Sequence, residues 1–225
     1  MATSTQHAVI TGGTGSLGSS IAKALASPGW RIDAPGTADF DVCDGLAVSR
    51  YFEDKTVDLL VCSSGITSDA PLAKMTESAW DEVWDVNYQG SLKCAQAVLP
   101  AMIARGSGHI VFISSYSAIH PPLGQTNYAA SKAALIGLTS DLAARHGRQN
   151  IRINTILPGF LETRMTESVG QKRLDQIRAA HVLGRFNTCT NVAAFVRFLH
   201  HELTETSGQV FQLDSRTEFP GFSHQ

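Results

Sequence analysis

The sequence predicts an α/β fold, a doubly wound parallel sheet with helices on both faces. Three observations predict it. Short apolar runs, such as VDLLVC at 57–62 and HIVFIS at 109–114, read as strands buried on both faces. They alternate with stretches of helical periodicity, the order of a parallel sheet joined by crossovers. The first run leads straight into a glycine-rich turn, TGGTGSLG at 11–18, that opens a helix. Right-handed crossovers turn that order into a doubly wound sheet.

Residues 7–11 are the first strand and 16–26 the helix after it. A second strand over 30–34 follows a Pro-Gly turn, and 38–42 reads as a third. Only Pro35, Gly36 and Thr37 separate these two, whereas a parallel crossover needs about a dozen residues. Either the intervening helix is replaced by a loop or the second strand is misplaced. Residues 57–62 are a fourth strand, and 76–104 a long amphipathic helical region that would break near Pro100. Residues 109–114 are a fifth strand, 127–146 an alanine-rich helix and 151–157 a sixth strand. A late helix at 191–201 and a last strand at 209–213 complete the pattern.

The 225 residues fit one domain with a sizeable core, at 43% hydrophobic and 17% charged. A net charge of -2 without a basic block argues against nucleic-acid binding. No run approaches 18 apolar residues, so no membrane span is expected. The polar opening, 1–7, has no signal-peptide pattern. Cys43, Cys62, Cys94 and Cys189 contain no CxxC pair and read as reduced thiols, which points to the cytoplasm. His200 and His201 have no Cys or carboxylate at ligand spacing, so no metal is expected.

Three motifs carry chemistry. Glycines at 12–18 allow a tight turn and close backbone approach to a phosphate, and the helix start offers free N–H groups to a pyrophosphate. In YAASK, Tyr128 and Lys132 stand four apart and share a helix face. A nearby ammonium favours the phenolate and would pull the Tyr128 pKa down, suiting it to proton transfer. Ser114 and Ser115 end a strand on the side where doubly wound sheets bind ligands, although two such serines are more often turn formers.

TGGTGSLG, VNYQG at 86–90, ISS at 113–115, YAASK at 128–132 and LPGFLET at 157–163 occur in this order. The set resembles the short-chain dehydrogenase/reductase family, over nearly the whole chain from Val9 to Asp214. The resemblance implies a Rossmann-type fold with residues 1–225 as one dinucleotide-binding and catalytic domain. It implies Tyr128 as proton donor in reduction, Ser115 as the group that polarises the carbonyl, and Ser114 as its less well spaced neighbour. Lys132 would lower the tyrosine pKa and hold the nicotinamide ribose, and Asn87 would support a water relay to it. Gly12, Thr14, Ser16, Leu17 and Gly18 would line the pyrophosphate, Asp41 and Val42 the adenine, and Ser64 and Gly65 the end of the next strand. Pro158, Gly159 and Thr163 would meet the nicotinamide carboxamide.

The chain departs from the family pattern in places. Ser16 stands for the middle glycine, Cys62-Ser63-Ser64-Gly65 for Asn-Asn-Ala-Gly, and Asp214-Ser215-Arg216 for Asp-Gly-Gly. An acid closing strand two selects NAD and an Arg there favours NADP. That position falls at about Gly36, with Asp33 three residues too early, so NADP(H) is favoured over NAD(H). The stretch around YAASK is similar to 3-oxoacyl-carrier-protein reductases, which implies a ketone or 3-oxoacyl thioester as substrate. Other readings are oxidation of a sterol, sugar or other secondary alcohol, and a cofactor-binding sensor or scaffold with little turnover. Residues 162–185 would form a substrate lid. Its Arg164, Lys172, Arg173 and Arg178 could meet an anionic group, although a solvated helical face is their more ordinary role. A homodimer or homotetramer through the two long helices is also implied.

Overall fold

The computed structural model describes residues 5–217, so most of the polar opening at 1–7 lies outside the described residues. Strand β1 (Gln6–Thr11) runs into helix α1 (Ser16–Leu25) and returns as β2 (Trp30–Asp33). Then come α2 (Gly45–Phe52), β3 (Leu59–Cys62), α3 (Glu77–Trp84) and α4 (Gly90–Arg105). Strand β4 (Gly108–Ile113), helix α5 (Thr126–His146) and β5 (Ile151–Leu157) follow. Helices α6 (Gln171–Ala179) and α7 (Cys189–His201) precede β6 (Val210–Gln212). Among the described residues these strands form one parallel sheet in the order β2-β1-β3-β4-β5-β6.

Alternating side chains feed two apolar layers, as the strand period requires. Leu59 and Val61 of β3 join Ile10, Val111 and the inner faces of α1 and α7. Leu60 and Cys62 point the other way, with Phe112, Ile153 and residues of α2, α4 and α5. Helices on both faces explain why the central strands are apolar without interruption.

Residues 38–42 do not form the expected third strand; they are turns. The Asp39 carboxylate accepts the Gly36 amide at 2.7 Å and folds the chain back. Phe40 is buried and stacks on Tyr51 at 4.4 Å. Asp44 then caps α2 by accepting the Leu46 and Ala47 amides. The second strand lies within the predicted 30–34, and the crossover from β2 to β3 is this loop plus α2. The sheet therefore has six strands among the described residues, not seven.

The long helical region does not break at Pro100, which lies inside α4. Its irregularity is a π-helical turn at Asp85–Gln89, between α3 and α4. Such a turn inserts a residue into the helix, often at a functional site. Here it carries the buried Asn87.

Candidate active site

The chain leaves β1 toward β2 on one side of the sheet and resumes at β3 on the other. That reversal opens a crevice above the C-terminal strand ends, where such sheets bind ligands. The glycine-rich turn sits there. Gly12 has φ +65°, and a Cβ on it would come within 2.9 Å of the Ser64 backbone. A Cβ on Gly13 would lie 2.3 Å from the Ala34 carbonyl oxygen. The loop is thus pressed between the ends of β2 and β3, and only glycine fits these places. The Thr14 side chain lies against Gly36. Gly15 caps α1 without a side-chain bond, Ser16 opens the helix, Leu17 is half-buried and Gly18 is buried. The first-turn amides of α1 have no side-chain acceptor, an arrangement suited to a diphosphate.

The YAASK motif lies in the first turns of α5, below the end of β4. Lys132 is buried, and its Nζ donates to the Ile113 carbonyl at 2.9 Å. Its own carbonyl accepts the Ser114 hydroxyl at 2.7 Å, which ties Ser114 to a structural bond. Ser115 stands where it lowers the Tyr128 pKa, and its Oγ accepts the Ser117 amide at 3.1 Å. Asn87 accepts the Ile66 amide at 2.8 Å and donates to the Ile66 carbonyl and to Ser131 Oγ. Ser131 in turn donates to the Tyr128 carbonyl at 2.8 Å. Asn87, Ser115, Tyr128 and Lys132 are therefore gathered at one end of the sheet.

Burial governs their protonation. It raises the Tyr128 pKa above its usual 10.0, with Ser115 opposing and Asp69 adding. It lowers Lys132 from 10.5 to about 8, partly offset by Cys62. The expectation that Lys132 draws Tyr128 down is corrected in this geometry. Lys132 Nζ stands 5.9 Å from the tyrosine ring centroid and is committed to Ile113, so desolvation outweighs the cation.

The remaining predicted residues lie on the segments that follow the strands. A Cβ on Gly65 would stand 3.2 Å from both Asn87 Oδ1 and Lys132 Nζ, so glycine keeps space open beside the ammonium. The Ser64 and Ser63 amides lie 3.4 and 3.2 Å from Thr11 Oγ1, where each donates. Asp41 accepts the Cys43 amide in the loop after β2, while Val42 packs against Gly90 at the start of α4. The Pro158 carbonyl accepts from Asn187, and Gly159, at φ +81°, packs on the buried Asp214. Thr163 caps a short turn by accepting and donating to Thr166. Sequence reasoning missed Ser131 and the Ile113 carbonyl. Ser131 was within reach, because at three after Tyr128 it shares the inner face. The Ile113 carbonyl leaves no side-chain signal.

A short chain dehydrogenase model matches residues 37–174. The chain belongs to the short-chain dehydrogenase family. It is an oxidoreductase that interconverts a ketone and a secondary alcohol. It is 43% identical over 159 residues to the 3-oxoacyl-acyl-carrier-protein reductase FabG of Thermotoga maritima, covering 70% of this chain and 65% of that protein. It is 38% identical over 189 residues to the (3R)-3-hydroxyacyl-CoA dehydrogenase of Mus musculus, covering 79% of this chain and 73% of that one. The crystal structure of a protein described as a putative NAD(P) dependent gluconate 5-dehydrogenase from Beutenbergia cavernae, with NADP bound at low occupancy, superposes at a TM-score of 0.90 and 27% identity. That match covers 94% of this chain and 96% of the other. The dehydrogenase fold thus holds with six strands among the described residues, without the strand that the sequence predicts at 38–42.

Proposed function

We propose that this short-chain dehydrogenase uses NADPH to reduce a 3-oxoacyl thioester to the 3-hydroxyacyl product. The observation that carries the reading is buried Lys132, one helical turn from Tyr128 and held at the Ile113 carbonyl beside Gly65 in a glycine-lined crevice. The cradle fits a dinucleotide: glycine is required at 12 and 13, α1 lacks a side-chain cap, and Gly65 leaves room beside Lys132. When bound, the cofactor supplies a hydride to the carbonyl carbon. Gly12, Thr14, Ser16, Leu17 and Gly18 hold its diphosphate, Asp41, Val42 and Ser64 flank its adenosine half, and Pro158, Gly159 and Thr163 its carboxamide end.

Ser115 Oγ donates a hydrogen bond to the substrate oxygen and polarises the carbonyl. The Tyr128 hydroxyl gives that oxygen its proton as charge develops there. Burial keeps the phenol protonated at neutral pH, the state that reduction requires. Lys132 holds the ribose beside Gly65, and Asn87 fixes the Ile66 loop and the α5 backbone through Ser131.

The choice of NADPH follows from the end of β2. Asp33 is turned back to His7 at 3.0 Å and to Arg31 at 3.2 Å. The acid nearest Gly36, Asp39, is engaged by the Gly36 amide. NADP is bound in the gluconate 5-dehydrogenase structure, and the relatives named above act on 3-oxoacyl or 3-hydroxyacyl groups, which supports the substrate class. Free thiols and the absence of a helix apolar enough to cross a membrane among the described residues fit a cytoplasmic enzyme.

The test is the initial rate of NADPH oxidation with acetoacetyl-CoA, with NADH run alongside. Tyr128→Phe is expected to lose about 100-fold or more in kcat while still binding NADPH. Turnover with a sugar or sterol alcohol but none with the thioester would move the substrate to another secondary alcohol. Dinucleotide binding without turnover on any of them would leave a sensor.

A further inference from the structure

A cavity of about 460 Å³ lies between the lid and the start of α1. Ser16 lines it from the helix, and Phe160, Glu162, Thr163, Arg164 and Glu167 line it from the segment after β5. Arg164 is the one cation among its described lining residues. The guanidinium crosses to the phosphate turn, where Nη2 donates to the Thr14 carbonyl at 3.2 Å, from 150 residues away. It makes no ion pair among the described residues, whereas Arg178 of the same lid is paired with Asp175. A guanidinium has five N–H donors, and this bond uses one.

The geometry points to Arg164 as a cofactor-binding residue that lays the lid over the phosphate turn and donates to the pyrophosphate. The inference rests on the dinucleotide reading of the crevice and adds a contact that the lid supplies. A phosphate beside Ser16 is within the cavity that Arg164 lines, and its charge is otherwise met there by the opposing carboxylates of Glu162 and Glu167. Arg164 offsets that repulsion and can bond a phosphate through two N–H groups, which a lysine cannot do with the same geometry. Because the diphosphate is common to both nicotinamide cofactors, the contact is indifferent to the 2′-phosphate.

The experiment is a fluorescence titration of the full chain with NADPH and with NADH, at low and high salt, for the wild type, Arg164→Gln and Arg164→Lys. Arg164 is exposed, so both variants keep the fold, and thermal unfolding of the unliganded proteins checks this. Arg164→Gln is expected to weaken both dinucleotides about tenfold at low salt, with a smaller loss at high salt. Arg164→Lys recovers part of the loss. Equal affinity in Arg164→Gln and wild type overturns the assignment. So does a loss confined to NADPH, which would move the contact to the 2′-phosphate. If wild type binds neither dinucleotide, the proposed function fails and this contact fails with it; if wild type binds and Arg164→Gln binds equally, only this contact fails.

Discussion

Tyr128 and Lys132 lie one helical turn apart on α5, yet each is displaced by desolvation in the direction that disfavours its charge. The Lys132 proton is held less tightly folded than unfolded, with a pKa of about 8 against 10.5. The charge therefore costs stability below about pH 8, and the cost fades as pH rises toward 10.5. Compared with wild type, Lys132→Met should gain stability at neutral pH. That relative gain should shrink by on the order of 1 kcal/mol per pH unit above pH 8. Urea unfolding of both proteins across this range checks it, and a constant difference would refute the burial argument. Four side chains of the candidate site were legible through the family resemblance of YAASK, ISS and VNYQG, and the helix period alone placed Tyr128 and Lys132 on one face. The protonation balance was not legible, since it depends on how far water is excluded and on the Ile113 carbonyl taking the ammonium.

Between elements, β4 and α7 are joined by a buried histidine pair, His109 Nδ1 to His200 Nδ1 at 3.2 Å. Asn154 donates to His109 Nε2, so His109 carries its proton on Nδ1 and donates it to His200. Burial, then Arg152, lowers His109 well below 6.5 and His200 to about 3. Unfolded histidines take up protons below about 6.5 while these do not, so stability falls as pH drops from there toward 3. His200→Gln should flatten that loss by about 1 kcal/mol per pH unit in this range. Denaturant midpoints measured between pH 7 and 4 decide it; parallel curves would exclude the pair as the source. The sequence showed His200 only as half of a His-His on a late helix. Its partner stands 91 residues away, beyond any local pattern. The misread strand at 38–42 has a related cause. Asp39 closes a local turn on the Gly36 amide, and Phe40 is drawn into the α2 layer by Tyr51, a contact outside the short apolar run.

At the scale of the molecule, the outer face of α5 is left open. Ala129, Ala130 and Ala133 line a groove of about 960 Å³ with Leu72 and Leu123, and Leu123 is fully exposed. We propose that a second copy packs against these small side chains, as the expected homodimer or homotetramer through the two long helices would require. Light scattering should give at least twice the mass of a 24.1 kDa chain, and Ala133→Arg should reduce it to one. A wild type that is monomeric throughout would remove this reading.

The sequence by itself determined the alternation of strands and helices and the glycine turn, and its resemblance to the short-chain dehydrogenase/reductase family supplied the proposed acid/base set. The first two are written in local periods and spacings, and the third in motifs shared with the family. The tertiary structure decided the rest. It decided that residues 38–42 turn instead of pairing, that Asp33 is spent on His7 and that Arg164 reaches the phosphate turn. Those outcomes turn on which distant group occupies the same space, and excluded volume and desolvation exist only once the chain is packed.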